Sequence, residues 1–71
     1  MYRIPVSSKI LKTIGYDSAR LILEVKFRIT GKVYAFYDIT KEEFSRLVNA
    51  RSIGNYFNSK IKNRFQFMEV K

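Results

Sequence analysis

The chain contains no cysteine and no histidine. Without cysteine there is no disulfide framework, and without either residue there is no ordinary zinc, haem or iron–sulfur site. A reducing, cytoplasmic compartment is the default expectation. Acid–base chemistry is left to carboxylates, lysines and tyrosines, and the carboxylates are scarce: six Asp and Glu in 71 residues. Glu42 and Glu43 open a helix, Asp17 and Asp38 sit at a corner and a strand end, and no spacing forces any pair together. No phosphate-loop signature or nucleophile elbow is present. The expectation is a protein that is not an enzyme and carries no cofactor. Long apolar runs are absent too. None approaches the roughly 20 residues needed to span a bilayer, and Met1–Val6 lacks the apolar core of a signal peptide. No repeat, low-complexity tract or linker is visible.

What is present is positive charge and aromatic surface. Fourteen Lys and Arg give a net charge of +8, which favours a polyanionic partner such as RNA, a small nucleotide or an acidic protein surface. Five tyrosines and six phenylalanines within a 46 % hydrophobic composition argue for a folded chain. Its length allows one domain, 1–71, with a small core.

Residues 8–16 read as a first strand, with Ile10, Ile14 and Tyr16 inward and a bulge or bend at Gly15. Asp17-Ser18-Ala19 is turn-like. Leu21, Leu23, Val25, Phe27 and Ile29 then alternate with Ile22, Glu24, Lys26 and Arg28, the period of a half-buried strand. Thr30-Gly31-Lys32 turns the chain, and Val33–Ile39 returns. A turn centred on Thr30-Gly31 pairs Phe27 with Tyr34, and one centred on Gly31-Lys32 shifts the pairing by two. Either places Tyr34 and Phe36 on the core face with Val25 and Phe27. Thr40-Lys41-Glu42-Glu43 has the form of a capping box, starting a helix over 41–50 with Phe44, Leu47 and Val48 at helical spacing. Ser52 caps a second helix over 53–63. Its Ile53, Tyr56, Phe57 and Ile61 form an apolar stripe, opposite Asn55, Asn58, Ser59 and Lys62. Residues 65–70 form a last strand. The fold class is α+β: an antiparallel sheet, made of a three-strand meander and a C-terminal strand, with two short helices on one face.

Two places then qualify as anion sites. On the uncovered sheet face, Tyr37 is read as a stacking platform or an ordinary cross-strand residue, beside Lys26 and Arg28. At the corner between the helices, the amides after Ser52, opened by Gly54, can meet a phosphate. Arg51, Asn55, Asn58, Lys62 and Arg64 supply charge and amides around them. Tyr34 and Phe36 are assigned to packing.

Several of these residues also form a pattern. Ser7-Ser8, Gly15-Tyr16-Asp17, Tyr34-Ala35-Phe36 and Ser52-Ile53-Gly54-Asn55-Tyr56-Phe57-Asn58 occur in an order that resembles the KTSC domain, over roughly residues 5–65. One departure is Thr40, where that family often has proline. The family takes its name from the C-terminus of some lysyl-tRNA synthetases and also includes small free-standing bacterial and phage proteins. The resemblance implies no established activity; RNA binding is implied only by the attachment to a synthetase. The expected function is therefore a binding module for nucleotide phosphates, with RNA the leading partner and no role at a membrane. Two alternatives stand beside it. One is a homo-oligomer of phage type that sequesters a small anionic nucleotide signal. The other is an interaction module for an acidic protein.

Overall fold

The alternating stretch lies at the middle of a five-stranded antiparallel sheet, in a computed structural model that describes residues 3–71. Met1 and Tyr2, part of the stretch read for a signal peptide, lie outside the described residues. The strands are β1 (Arg3–Pro5), β2 (Leu11–Asp17), β3 (Ile22–Phe27), β4 (Val33–Phe36) and β5 (Phe67–Val70), and their spatial order equals their chain order. Two helical segments separate β4 from β5: α1 (Lys41–Val48) and α2 (Ile53–Tyr56), the latter continuing as a π-helical turn over Phe57–Ile61. The α+β class and the two helices match the sequence reading, and β1 is a strand it did not include.

The core occupies one face of the sheet. Leu11, Ile14, Leu23, Val25 and Phe36 project from the strands and meet Ile39, Leu47, Phe57 and Ile61, all buried. This is the face assigned from two-residue alternation in β3 and helical spacing in 41–61. The β3–β4 register differs from both sequence-derived alternatives. Val25 pairs with Tyr34 and Leu23 with Phe36. The cause is a loop longer than a two-residue turn. The Phe27 carbonyl accepts from the Gly31 amide at 3.0 Å, and the Phe27 amide donates to the Lys32 carbonyl at 2.9 Å. Gly31 sits there at φ +72°, in the left-handed region where glycine carries no Cβ penalty. A shift of two keeps side-chain parity, so Tyr34 and Phe36 remain inward.

The ends of the meander also depart from the alternation. Leu21 adopts φ +58° and Asp38 φ +62°, so both leave the strands, and the Ile39 amide bonds back to the Leu21 carbonyl. Leu21 is exposed instead of core, and Ile29 belongs to the β3–β4 loop. Gly15 carries no bulge; the irregularity in β2–β3 pairing falls between Leu11 and Thr13.

The caps form as their chemistry dictates. The Thr40 hydroxyl accepts from the Glu43 amide while the Glu43 carboxylate accepts from the Thr40 amide, completing the capping box. The Ser52 hydroxyl accepts from the Asn55 amide. At the far end of α2 the Lys62 amide reaches the Phe57 carbonyl, five residues back. Phe57 and Ile61, four residues apart on this turn, are both buried against the sheet.

Candidate functional site

Five aromatic rings meet, four of their five contacts edge to face, where the sheet passes under the end of α2. Phe27 packs on Tyr34 (centroids 5.4 Å apart) and on Phe57 (5.7 Å). Phe57 packs on Phe36 (5.2 Å), Phe36 on Phe67 (5.3 Å), and Phe67 on Tyr34 (5.6 Å), which closes the ring. These separations and tilts are those that aromatic quadrupoles favour. The β3–β4–β5 register produces this arrangement: Val25↔Tyr34 and Phe36↔Phe67 put consecutive aromatic rows on the helix face.

Only Phe57 of the five is absent from the lining of a cleft of about 430 Å³ that opens above the ring. The other four form its floor, and Ile10 and Ile29 its sides. Lys9, Lys32 and Lys62 stand around it, each from a different element: the β1–β2 loop, the β3–β4 loop and the end of the π-helical turn. No carboxylate lines it among the described residues. Ile29 is 93 % exposed and Phe67 53 % exposed, so apolar surface is presented to solvent at the cleft. Chemically the cleft offers aromatic rings, of which Phe67 is the most exposed, for an apolar or π-faced group, and three cations for an anion attached to it.

A second depression adjoins the first through Lys9 and Ile10. It is lined by Ser7, Ser8, Lys9, Ile10, Arg51, Ser52, Gly54 and Asn55, and contains about 500 Å³. Here the β1–β2 loop rests on the start of α2. Ser8 ties the loop by accepting from the Ile10 and Leu11 amides. Gly54 lets the two segments touch: a Cβ there would lie 2.8 Å from Ser8 Oγ and 3.1 Å from Ile10 Cδ1.

The sequence-predicted residues therefore divide. Arg51, Ser52, Gly54 and Asn55 come together in the second depression, and Lys62 joins the first. Gly54 is buried beneath the Ser8 loop, so its role in opening amides to a phosphate is replaced by one in close packing. Asn58 is exposed on the π-helical turn and lines neither depression, and Arg64 lies over the Phe65 ring at 5.9 Å.

The sheet-face grouping of Lys26, Arg28 and Tyr37 is not formed. Lys26 is on the open face opposite Val33. Tyr37 is four residues further along, roughly 13 Å at strand rise, because of the register shift. Arg28 is engaged elsewhere. Its Nε donates to the Ser8 carbonyl at 2.8 Å, and Nη2 reaches toward the Val6 and Leu11 carbonyls at 3.3 and 3.4 Å. It clamps the β1–β2 loop.

Lys9, Lys32, Phe27, Tyr34 and Phe67 were not among the candidate site residues. The available signal was the density of aromatics in residues 27–36 and 65–67 flanked by lysines, but it points to a site only when β5 lies beside β4. The corner motifs are structural. Asp17 Oδ1 accepts from the Ala19 and Arg20 amides, and the Tyr16 hydroxyl donates to the Ile39 carbonyl at 2.6 Å with its ring stacked on Phe44. Burial, and then Glu42, Glu43 and Asp17, push the Tyr16 phenol above its ordinary pKa.

No helix among the described residues is long and apolar enough to cross a membrane, and none of their acidic side chains cluster to hold a metal ion. Comparison with known proteins agrees with the motifs and the architecture. The KTSC domain model matches residues 7–65. A protein of Tsukamurella paurometabola is 37 % identical over 62 residues, covering 87 % of this chain and 91 % of the relative. A protein of Stutzerimonas stutzeri is 36 % identical over the same share of this chain and 86 % of its own. The crystal structure of a KTSC domain protein from Yersinia pestis superposes with a TM-score of 0.93 at 31 % identity, covering 99 % of this chain and 97 % of the other. The order of motifs, the five-stranded meander and these likenesses agree, and the chain belongs to the KTSC domain family.

Proposed function

We propose that this protein is a non-enzymatic, cytoplasmic binding module for nucleotide phosphates, with RNA as its leading ligand. The observation that carries the reading is the cleft in which Lys9, Lys32 and Lys62 surround a floor of Phe27, Tyr34, Phe36 and Phe67. Cations beside an exposed aromatic ring, here Phe67, are the combination that holds a phosphate backbone and its bases together. The polar depression across Lys9, with Arg51, Ser52 and Asn55, extends the cationic surface in a second direction. A strand of RNA can follow that line. The net charge of +8 adds attraction at longer range.

The test is anisotropy of a labelled single-stranded RNA titrated with the wild type, with Lys9→Ala/Lys32→Ala/Lys62→Ala, and with Lys26→Ala as a control on the open face. The triple variant should lose most of the affinity and the control should keep it. Equal losses in both would reduce the effect to net charge and remove the cleft from the reading.

One observation favours the sequestering oligomer as a second reading. β5 is an edge strand, and Phe67, Met68 and Val70 on it are all exposed, whereas the opposite edge, β1, ends in Pro5, which has no amide to donate to another strand. An unprotected apolar edge invites another strand. A native mass spectrum that shows only monomer, with and without nucleotides, removes this reading.

A further inference from the structure

The cleft has aromatic rings and cations but few groups that read the edge of a base. No Asn, Gln, Asp, Glu or Arg lines it among the described residues. Those side chains, together with lysine, pair bidentately with base edges, and the three lysines here are assigned to the phosphates. Of its two hydroxyl-bearing residues, Thr30 already accepts from the Lys32 amide. Tyr34 has its ring held between Phe27 and Phe67. The volume, about 430 Å³, lies low in the range of roughly 300–1,000 Å³ typical of small-ligand pockets, enough for one nucleotide. Ile29 stands beside this opening at 93 % exposure. Its aliphatic surface can pack against a flat group that enters the cleft.

The geometry points to capture of a single unpaired base, recognised by stacking and not by sequence. This rests on the nucleotide reading above and narrows it. The base stacks against Phe67, the most exposed ring of the cleft, with Phe27 and Tyr34 packed edge to face beside it and Ile29 at the side, while its flanking phosphates meet Lys9, Lys32 and Lys62. A paired base cannot enter, because its face is stacked within the helix and extruding it costs unstacking and unpairing energy. Selectivity then follows stacking area: purines exceed pyrimidines modestly, and no fixed sequence is required.

The experiment uses the whole chain and four labelled probes of equal length: single-stranded oligoadenylate, single-stranded oligocytidylate, an abasic oligomer that keeps the phosphates, and a blunt RNA duplex. Anisotropy is read at one low salt concentration. The adenylate should bind about tenfold or more tightly than the abasic oligomer, the scale of one base–aromatic contact. It should exceed the cytidylate by only a few-fold, and the duplex should fall near the abasic oligomer. Phe67→Ala should bring the adenylate down toward the abasic value and leave the abasic affinity unchanged. Ile29→Ser removes only exposed apolar surface, so it tests the same loss even if the Phe67 variant unfolds. Equal affinity for adenylate and abasic oligomer overturns base capture while phosphate binding stands. Tighter binding of the duplex than of either single strand does the same. Binding of none of the four overturns the nucleotide reading and this inference with it.

Discussion

At the residue scale, the most informative side chain is one whose charge does no work at a surface site. Arg28 is positive, and its position in the alternation puts it beside Lys26. Its guanidinium instead reaches the Ser8, Val6 and Leu11 carbonyls. Only the 2.8 Å bond from Nε to Ser8 is short, so most of the effect is expected from it. Arg28→Ala should lower stability by about 1–2 kcal/mol, the scale of a charge-assisted bond in a part-exposed place. A urea titration reports it as a lower midpoint at unchanged slope. Lysine should not restore the loss, because it lacks the planar fork. Tyr16 makes a different point. Its phenol donates to the Ile39 carbonyl, and its folded pKa lies above the ordinary value because of burial and nearby carboxylates. A raised folded pKa contributes stability that is fully present below the unfolded value, about 10, and is lost as pH rises through the folded value. Thermal melts should therefore fall as pH climbs past about 10. Tyr16→Phe should melt lower at neutral pH and lose this part of the alkaline decline; an identical alkaline slope in both proteins would contradict the assignment.

At the scale of elements, the question is what holds α2 against the sheet. Its start touches the β1–β2 loop through Gly54, and its π-helical end turns Phe57 and Ile61 inward. Gly54→Ala would place a methyl 2.8 Å from Ser8 Oγ, an atom already bonded to two amides, and near Ile10 on the other side. Overpacking of this kind costs about 1–3 kcal/mol, more than alanine's helix propensity returns. The variant should melt below the wild type, and a higher melting temperature would mean that the loop gives way freely. Much of this architecture was legible in the chain. Thr40 and Ser52 announce both helices through local hydrogen bonds, and the parity of Leu23, Val25, Tyr34 and Phe36 identifies the core face. Register was less legible, because Gly31 permits several loop closures and only the packed sheet selects one. The position of β5 depends on pairing across 30 residues of intervening chain, and no local pattern encodes it. For that reason the site was only half visible. Lys62 and the Arg51–Asn55 corner follow from local pattern, while the aromatic floor exists only once Phe67 is set beside Phe36 and Tyr34.

At the scale of the whole molecule, charge acts at two ranges, and they separate experimentally. The longest axis is 29 Å, about three Debye lengths at 0.1 M salt. Basic residues far from the cleft, such as Lys26 on the open face, are therefore screened from a ligand bound there. They contribute to the rate of encounter and little to the affinity. The equilibrium salt dependence instead counts phosphates neutralised in the bound state. For single strands each contact contributes about 0.7 to the slope of log affinity against log salt. Lys9, Lys32 and Lys62 together predict a slope of about −2, with Arg51 adding less than one further unit if the strand continues into the second depression. Titrations of single-stranded RNA from about 50 to 300 mM salt measure it directly. Lys62→Ala should reduce the slope by about 0.7, whereas Lys26→Ala should leave it unchanged and slow association slightly. A slope near −5 or steeper would require more cations than the two depressions hold, and the ligand would then have to wrap the molecule instead of entering one cleft.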